Sequence, residues 1–94
     1  MPYVLIRHRV GNYAKWKRAF DAHGGTRRTH GSKGGWLFRS AKNPREVLIL
    51  LRWNGLRAAR RFVTSAELRK AMKNAGVRGR PEVLFLHDRA KPPA

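Results

Sequence analysis

The stretch EVLILLRW, Glu46 to Trp53, decides the fold of this chain. From Val47 to Leu51 it is apolar without interruption, with no glycine or proline. Such a run predicts a β-strand, and the absence of polar alternation predicts that both of its faces are covered. Asn43-Pro44 marks a turn before the strand, and Asn54 can cap a helix after it.

The other elements follow from local patterns on either side of this strand. Tyr13, Trp16 and Phe20 recur at the spacing of one helix face, behind the candidate N-cap Asn12. Gly24-Gly25 oppose a continuation of that helix, since each glycine costs about 1 kcal/mol. The segment HGSKGG before the second strand is predicted to be a loop. The remaining predicted elements are strands Tyr3–Val10, Gly35–Ser40 and Glu82–His87 and helices Leu56–Val63 and Ala66–Ala75.

This order, βαββαβ, predicts an α+β protomer of the ferredoxin-like type. We expect one domain, residues 1–88, followed by a flexible tail, residues 89–94. Helices on one side of the sheet leave the other side open, yet the strand at 46–53 and Leu84 and Leu86 supply apolar groups there. Because a large exposed apolar face is unusual in a soluble monomer, the sequence predicts a homodimer that packs sheet against sheet.

Composition limits the classes of partner. The 94 residues carry 22 basic and 5 acidic side chains, for a net charge of +17, and no cysteine. Such a charge attracts polyanions, including nucleic acid, without specificity. The absence of cysteine excludes disulfides and thiolate chemistry. No apolar run is long enough to span a membrane, and we expect a cytoplasmic protein.

The two C-terminal helices carry a dense set of bases opposite their apolar stripes. This placement is typical of a solvated helix face, and the alternative is salt-dependent phosphate binding. An RNA-binding or DNA-binding domain is the competing class, since RNA-recognition motifs share the βαββαβ order. Their aromatic signature is missing from the strand VLILLRW, which argues against that class. The candidate polyanion-binding residues are Arg57, Arg60, Arg61, Arg69, Lys70 and Lys73.

Two histidines and an arginine form the candidate catalytic group. His8 shares a strand face with Val4 and Ile6, and His23 and Arg27 continue the inner stripe of the first helix. They can meet in a cavity, where a histidine pair would move protons and Arg27 would hold an anionic substrate. The competing interpretation is that His8 is a hydrogen-bonded sheet residue and His23 a helix-end residue. No metal-binding spacing is present, so no metal site is predicted.

The ordered segments YVLIRHRV, NYAKWKRAFDAH, GSKGGWLFRS, NPREVLILLRW and AGVRGRPEVLFL resemble the dimeric α/β-barrel superfamily. The similarity is to small proteins of the antibiotic-biosynthesis-monooxygenase-like and cyclase-like groups. It implies a dimeric α/β barrel with a cavity between sheet and helices. It also implies a reaction without a cofactor, on a small aromatic or anionic substrate, by oxygenation or isomerisation. The predicted cavity-lining residues are Trp16, Phe20, Arg39 and Trp53.

The chain departs from these relatives where they carry acids. RWNG, Arg52 to Gly55, stands where they tend to read EWDD, and Asn12 and Asn43 stand where Asp is common. We hypothesise an engineered, positively supercharged version of a natural scaffold. The first functional prediction is therefore a homodimeric scaffold of uncharacterised activity that binds polyanions non-specifically. A cofactor-free monooxygenase or isomerase and a nucleic-acid-binding domain are the alternatives.

Overall fold

The computed structural model describes residues 1–94 and contains four strands and four helices. The order is βααββααβ, so the predicted ferredoxin-like α+β class is confirmed, with an additional helix in the first crossover. The elements are β1 (Pro2–Val10), α1 (Tyr13–Ala22), α2 (Gly24–His30), β2 (Ser32–Arg39), β3 (Glu46–Trp53), α3 (Leu56–Val63), α4 (Ala66–Asn74) and β4 (Val77–His87).

The sheet has the strand order β2-β3-β1-β4, and every neighbouring pair is antiparallel. β1 and β3 are central and pair in register, with Ile6 opposite Ile49. Their alternate side chains point towards the helices and are buried together with residues from α1, α3 and α4. The buried members from the two strands are Pro2, Val4, Ile6, His8, Val10, Val47, Ile49, Leu51 and Trp53.

The helix α2 occupies a segment that was predicted to break at Gly24-Gly25. It ends at Gly31, whose φ of 118° is left-handed, and its last turn carries Arg27, Arg28 and His30. Basic side chains there complement the negative end of the helix dipole. The helix contacts β2 and α3. α1 does end at Ala22, before Gly24-Gly25, and the separate helix α2 is the element that the sequence did not predict. A glycine cost of about 1 kcal/mol each is modest beside such packing.

A bulge shapes the start of β2, which begins at Ser32 and not at Gly35 as predicted. Ser32 pairs with Trp53 and Gly35 with Leu51, so Lys33 and Gly34 lie opposite one residue of β3. Gly34 has a left-handed φ of 84°. A Cβ atom on Gly35 would lie 1.9 Å from the Leu50 carbonyl oxygen, so only glycine fits this close approach.

A second irregularity lies in β4, which begins at Val77 and is longer than the predicted Glu82–His87. Arg7 pairs with Glu82 and Arg9 with Arg78, so three residues of β4, 79–81, lie opposite a single residue of β1, His8. Pro81 lies in this interruption, where its missing N–H costs no ladder hydrogen bond. The bulge thus lets the strand continue through a residue that usually ends one.

The outer face of the sheet is open and largely apolar. Trp36 is 56% exposed and Phe38 50%, and Leu84 and Leu86 lie at the other edge of the same face. Leu48 and Leu50 are half-buried between them. Within one protomer β3 is therefore fully buried on its inner face only, and the predicted cover of its outer face would come from a second copy.

Candidate functional site

A cavity of about 340 Å³ lies between the inner face of the sheet and the helices. Of its 19 lining residues, 15 are hydrophobic, and they come from β1, β3 and all four helices. This volume falls within the range of small-molecule sites. Its apolar walls would desolvate any ligand that enters it.

Stacked aromatic rings from α1 form one wall of the cavity. The Trp16 and Phe20 rings are stacked with centroids 4.9 Å apart, and the His8 ring meets Trp16 edge-on at 5.5 Å. The Arg27 guanidinium covers the Phe20 ring at 3.8 Å. The spacing of Trp16 and Phe20, four residues apart, places both rings on one helix face. Phe20 is thus stacked between Trp16 and Arg27, and this side of the cavity is aromatic.

A second aromatic group surrounds Phe62 of α3. The Phe62 ring lies 5.3 Å from Trp53 and 6.2 Å from His23, both of which line the cavity. His30 contacts Phe62 at 5.2 Å but is not a lining residue. Phe62 therefore links the end of β3 to the junction of α1 and α2.

Three buried polar atoms on these walls have no hydrogen-bond partner: Nδ1 and Nε2 of His8 and Nε1 of Trp53. His8 is only 5% exposed, and burial lowers the pKa of its imidazole from 6.5 to about 4. The ring is therefore neutral near pH 7, with one nitrogen able to accept a proton. The Trp53 N–H is a free donor. Buried groups of this kind usually have partners, so their freedom here points to a ligand.

Arg27 is the charged residue of the cavity. Its Nη1 donates to the Phe20 carbonyl oxygen at 2.8 Å, and no carboxylate lies within ion-pair distance of it. Burial lowers the pKa of this guanidinium, and the charge of Asp21 opposes that shift. The group stays cationic, because an arginine is not deprotonated in proteins.

The structure brings most of the sequence-predicted site residues together. Trp16, Phe20, His8, His23, Arg27 and Trp53 all line the one cavity. Arg39 does not, in contrast to the prediction. Its guanidinium lies 3.9 Å from the Tyr13 ring centre, and its Nε donates to the Pro44 carbonyl oxygen.

The six basic residues predicted to bind polyanions are all exposed on α3 and α4. Arg60 lies over the Phe85 ring at 5.3 Å, and none of the six lines the cavity. No group of three or more His, Asp or Glu side chains is arranged to hold a metal ion. None of the helices is long and apolar enough to cross a membrane.

Sequence reasoning missed Phe62, which is 3% exposed and central to the second aromatic group. The apolar spacing of α3 predicts an inner stripe of Leu56, Ala59 and Val63, but the structure buries Ala59 and Phe62 most deeply. The signal was present, because Phe62 lies three residues after Ala59 on the same helix face. The predicted inner stripe does not include Phe62 because its neighbour Val63 is assigned there.

No protein-family model and no curated protein matches this sequence. Solved structures do match over nearly the whole chain. An antibiotic biosynthesis monooxygenase has a TM-score of 0.71 at 15% identity and covers 96% of this chain and 100% of its own. SnoaB from Streptomyces nogalater, a cofactor-independent oxygenase, has a TM-score of 0.77 at 15% identity over 99% and 97% of the two chains.

The fold is that of the antibiotic biosynthesis monooxygenases. A further structure with this fold is the ActVA-Orf6 monooxygenase of Streptomyces coelicolor, determined in complex with Nanaomycin D. It has a TM-score of 0.68 at 23% identity and covers 99% of this chain and 92% of its own. The TM-scores establish the shared fold, whereas identities this low do not establish the activity, which is argued from the cavity instead.

The first functional prediction, a scaffold that binds polyanions, finds no support in these comparisons. The chain's fold is shared with oxygenases, and its cavity is apolar and aromatic. The enzyme alternative fits both observations better. The hypothesis of an engineered surface stays a hypothesis, because the similarity concerns the fold alone.

Proposed function

We propose that this chain is an enzyme that oxygenates a planar, electron-rich aromatic substrate in the cavity, without a cofactor. The observation that carries the proposal is the pairing of an apolar aromatic cavity with the unpartnered nitrogens of His8 and Trp53. The fold shared with a cofactor-independent oxygenase supports it.

The proposed reaction begins with removal of a proton from a hydroxyaromatic or a carbon acid. The neutral His8 ring accepts that proton, and the Trp53 N–H donates to the oxygen on which negative charge develops. The resulting carbanion-like substrate is electron-rich enough to reduce dioxygen directly. For a ring methylene the balance is one CH₂ and one O₂ giving one C=O and one H₂O.

The walls contribute by excluding water. A buried His8 that is neutral in the empty cavity becomes charged only while the substrate anion is beside it, so the two charges stabilise one another. Trp16 and Phe20 give an aromatic substrate apolar contact in the cavity. Such contact helps to position the reacting carbon.

Oxygen consumption with an anthrone as substrate tests this function. We expect His8→Ala to lower kcat about 100-fold or more, the usual contribution of a general base. His87→Ala is the matched control, since His87 is exposed at the end of β4 and should leave kcat unchanged. Turnover without oxygen would favour the isomerase alternative, and equal rates for wild type and His8→Ala would contradict the role of His8.

We also propose that two copies pair through the open sheet face to form a dimeric barrel. The exposed Trp36, Phe38, Leu84 and Leu86 support this assembly, because they form an apolar face without a cover in the monomer. Light scattering at low and high salt should give the dimer mass, with tighter association at high salt as the repulsion between protomers is screened. Trp36→Glu should yield a monomer, whereas Arg61→Glu on the helix side should not.

A further inference from the structure

A second, polar groove of about 490 Å³ adjoins the cavity at the edge of the sheet. It lies between the α1–α2 junction and the bulge of β2, and four basic side chains line it. Its one acid, Asp21, is paired with Lys17. The other three bases, Arg27, Arg28 and Lys33, have no acidic partner. The groove is therefore a net cationic site.

The cavity and the groove meet at shared residues. Phe20, Arg27 and Leu51 line both, so the stacked pair of Arg27 on Phe20 separates the apolar space from the polar one. On the groove side, Gly34 and Gly35 form part of the lining. A ligand that spans the junction would place an apolar body on one side of Arg27 and a polar group on the other.

Arg27 is incompletely satisfied at this junction. Its side chain makes one hydrogen bond, through Nη1 to Phe20, and its Nη2 lies beside Gly24 without an acceptor. Arg27 is half-buried, and partial burial without a paired carboxylate disfavours the charged guanidinium, so an anion beside it would be stabilised. The exposed bases of α3 and α4 are different, since water solvates them fully.

We propose that the groove binds the carboxylate of the substrate, with Arg27 as its partner, while the aromatic body occupies the cavity. The inference deepens the proposed function and rests on it for the aromatic body. A guanidinium presents parallel N–H donors that match the two oxygens of a carboxylate. Arg28 and Lys33 add positive charge around the same anion. The substrate class is thus an aromatic carboxylic acid.

Calorimetric titration with a matched pair of probes tests this site. 2-Naphthoate and 2-naphthamide have nearly the same shape, and only the first is an anion. We expect the wild-type chain to bind 2-naphthoate about 10-fold or more tightly than the amide, as charge-assisted hydrogen bonds contribute. We expect the preference to survive about 0.3 M salt, because a half-buried pair is screened less than surface charge.

Variants assign the preference to the groove. Arg27→Gln should reduce the naphthoate preference to about twofold or less, and Arg61→Gln, which removes the same charge from an exposed helix position, should keep it. The double variant Arg28→Gln/Lys33→Gln leaves the Phe20 contact of Arg27 intact and should weaken naphthoate binding but not amide binding. It therefore tests the groove even where Arg27→Gln fails to fold.

The outcomes separate the two proposals. Equal binding of both probes would overturn the carboxylate site and leave the aromatic cavity standing. Tighter binding of 2-naphthyl phosphate than of 2-naphthoate would overturn the choice of carboxylate as the anion. Failure of both neutral and anionic probes to bind would overturn the cavity as an aromatic site, and with it both proposals. A preference that Arg27→Gln and the double variant leave unchanged would place the anion elsewhere.

Discussion

The buried, unpartnered His8 predicts an unusual dependence of stability on pH. Its pKa is lowered to about 4 in the folded chain from an ordinary value of 6.5. Between these two values the unfolded chain binds a proton that the folded chain does not, so the free energy of unfolding falls as the pH decreases. From about pH 7 to about pH 5 the loss amounts to about 2 kcal/mol.

Urea unfolding of wild type and His8→Leu over this pH range measures the effect. Leucine fills a similar space without a titrating group, so we expect the wild type to lose about 2 kcal/mol relative to the variant between about pH 7 and pH 5. Carboxylates titrate in both proteins and cancel in the difference. The protomer concentration must be fixed, since any association adds to apparent stability.

His87→Gln is the control, because it removes an imidazole from an exposed position at the end of β4. This variant should keep the wild-type slope. Parallel curves for wild type and His8→Leu would refute the reasoning. That result would mean that the His8 ring is hydrated or hydrogen-bonded in solution, and it would remove the argument that its nitrogens are free for a ligand.

Three further predictions concern backbone fit, capping and charge. Gly35→Ala should lower the free energy of unfolding by about 3 kcal/mol or more, because its Cβ would lie 1.9 Å from the Leu50 carbonyl oxygen. Gly25→Ala has open space around its Cβ and should raise the free energy of unfolding by about 0.5–1 kcal/mol. Thermal melts followed by circular dichroism measure both effects. Ser65→Ala removes the hydroxyl that accepts from the Leu68 N–H at 3.1 Å and donates to the Phe62 carbonyl oxygen, and it should cost about 1 kcal/mol by urea titration. Ser65→Thr keeps a hydroxyl that can make both hydrogen bonds and should cost less. The melting temperature should rise as sodium chloride increases from about 20 to about 300 mM, since salt screens the repulsion of +17 net charges, and an unchanged melting temperature would contradict this.

The sequence predicted those elements whose local pattern and tertiary surroundings agree. β3 and α3 have the predicted bounds, since apolar periodicity and turn residues all favour the same structure there. The same periodicity placed His8, His23 and Arg27 on inward-facing positions, and all three line the cavity.

The remaining features depend on contacts that a local pattern does not contain. α2 forms despite Gly24-Gly25 because β2 and α3 pack against it. β4 passes through Pro81 because the bulge opposite His8 removes the need for its N–H. Arg39 leaves the cavity because Tyr13 and the Pro44 carbonyl offer it partners at the sheet edge. In each case the local structure depends on contact with a residue or element that is distant in sequence.

The apolar run of β3 makes the unfolded chain prone to aggregation. Its partner in β1 is far away in sequence, as the pairing of Leu5 with Leu50 shows, and α3 and α4, which pack on its inner face, follow it in the chain. The run can therefore stay exposed until these distant segments have come together. Segments of this kind readily join copies of themselves into cross-β aggregates. Arg45 and Arg52 flank the run, and every copy carries a large charge of the same sign. Repulsion between these like charges opposes the association of unfolded chains while the central strand is still exposed.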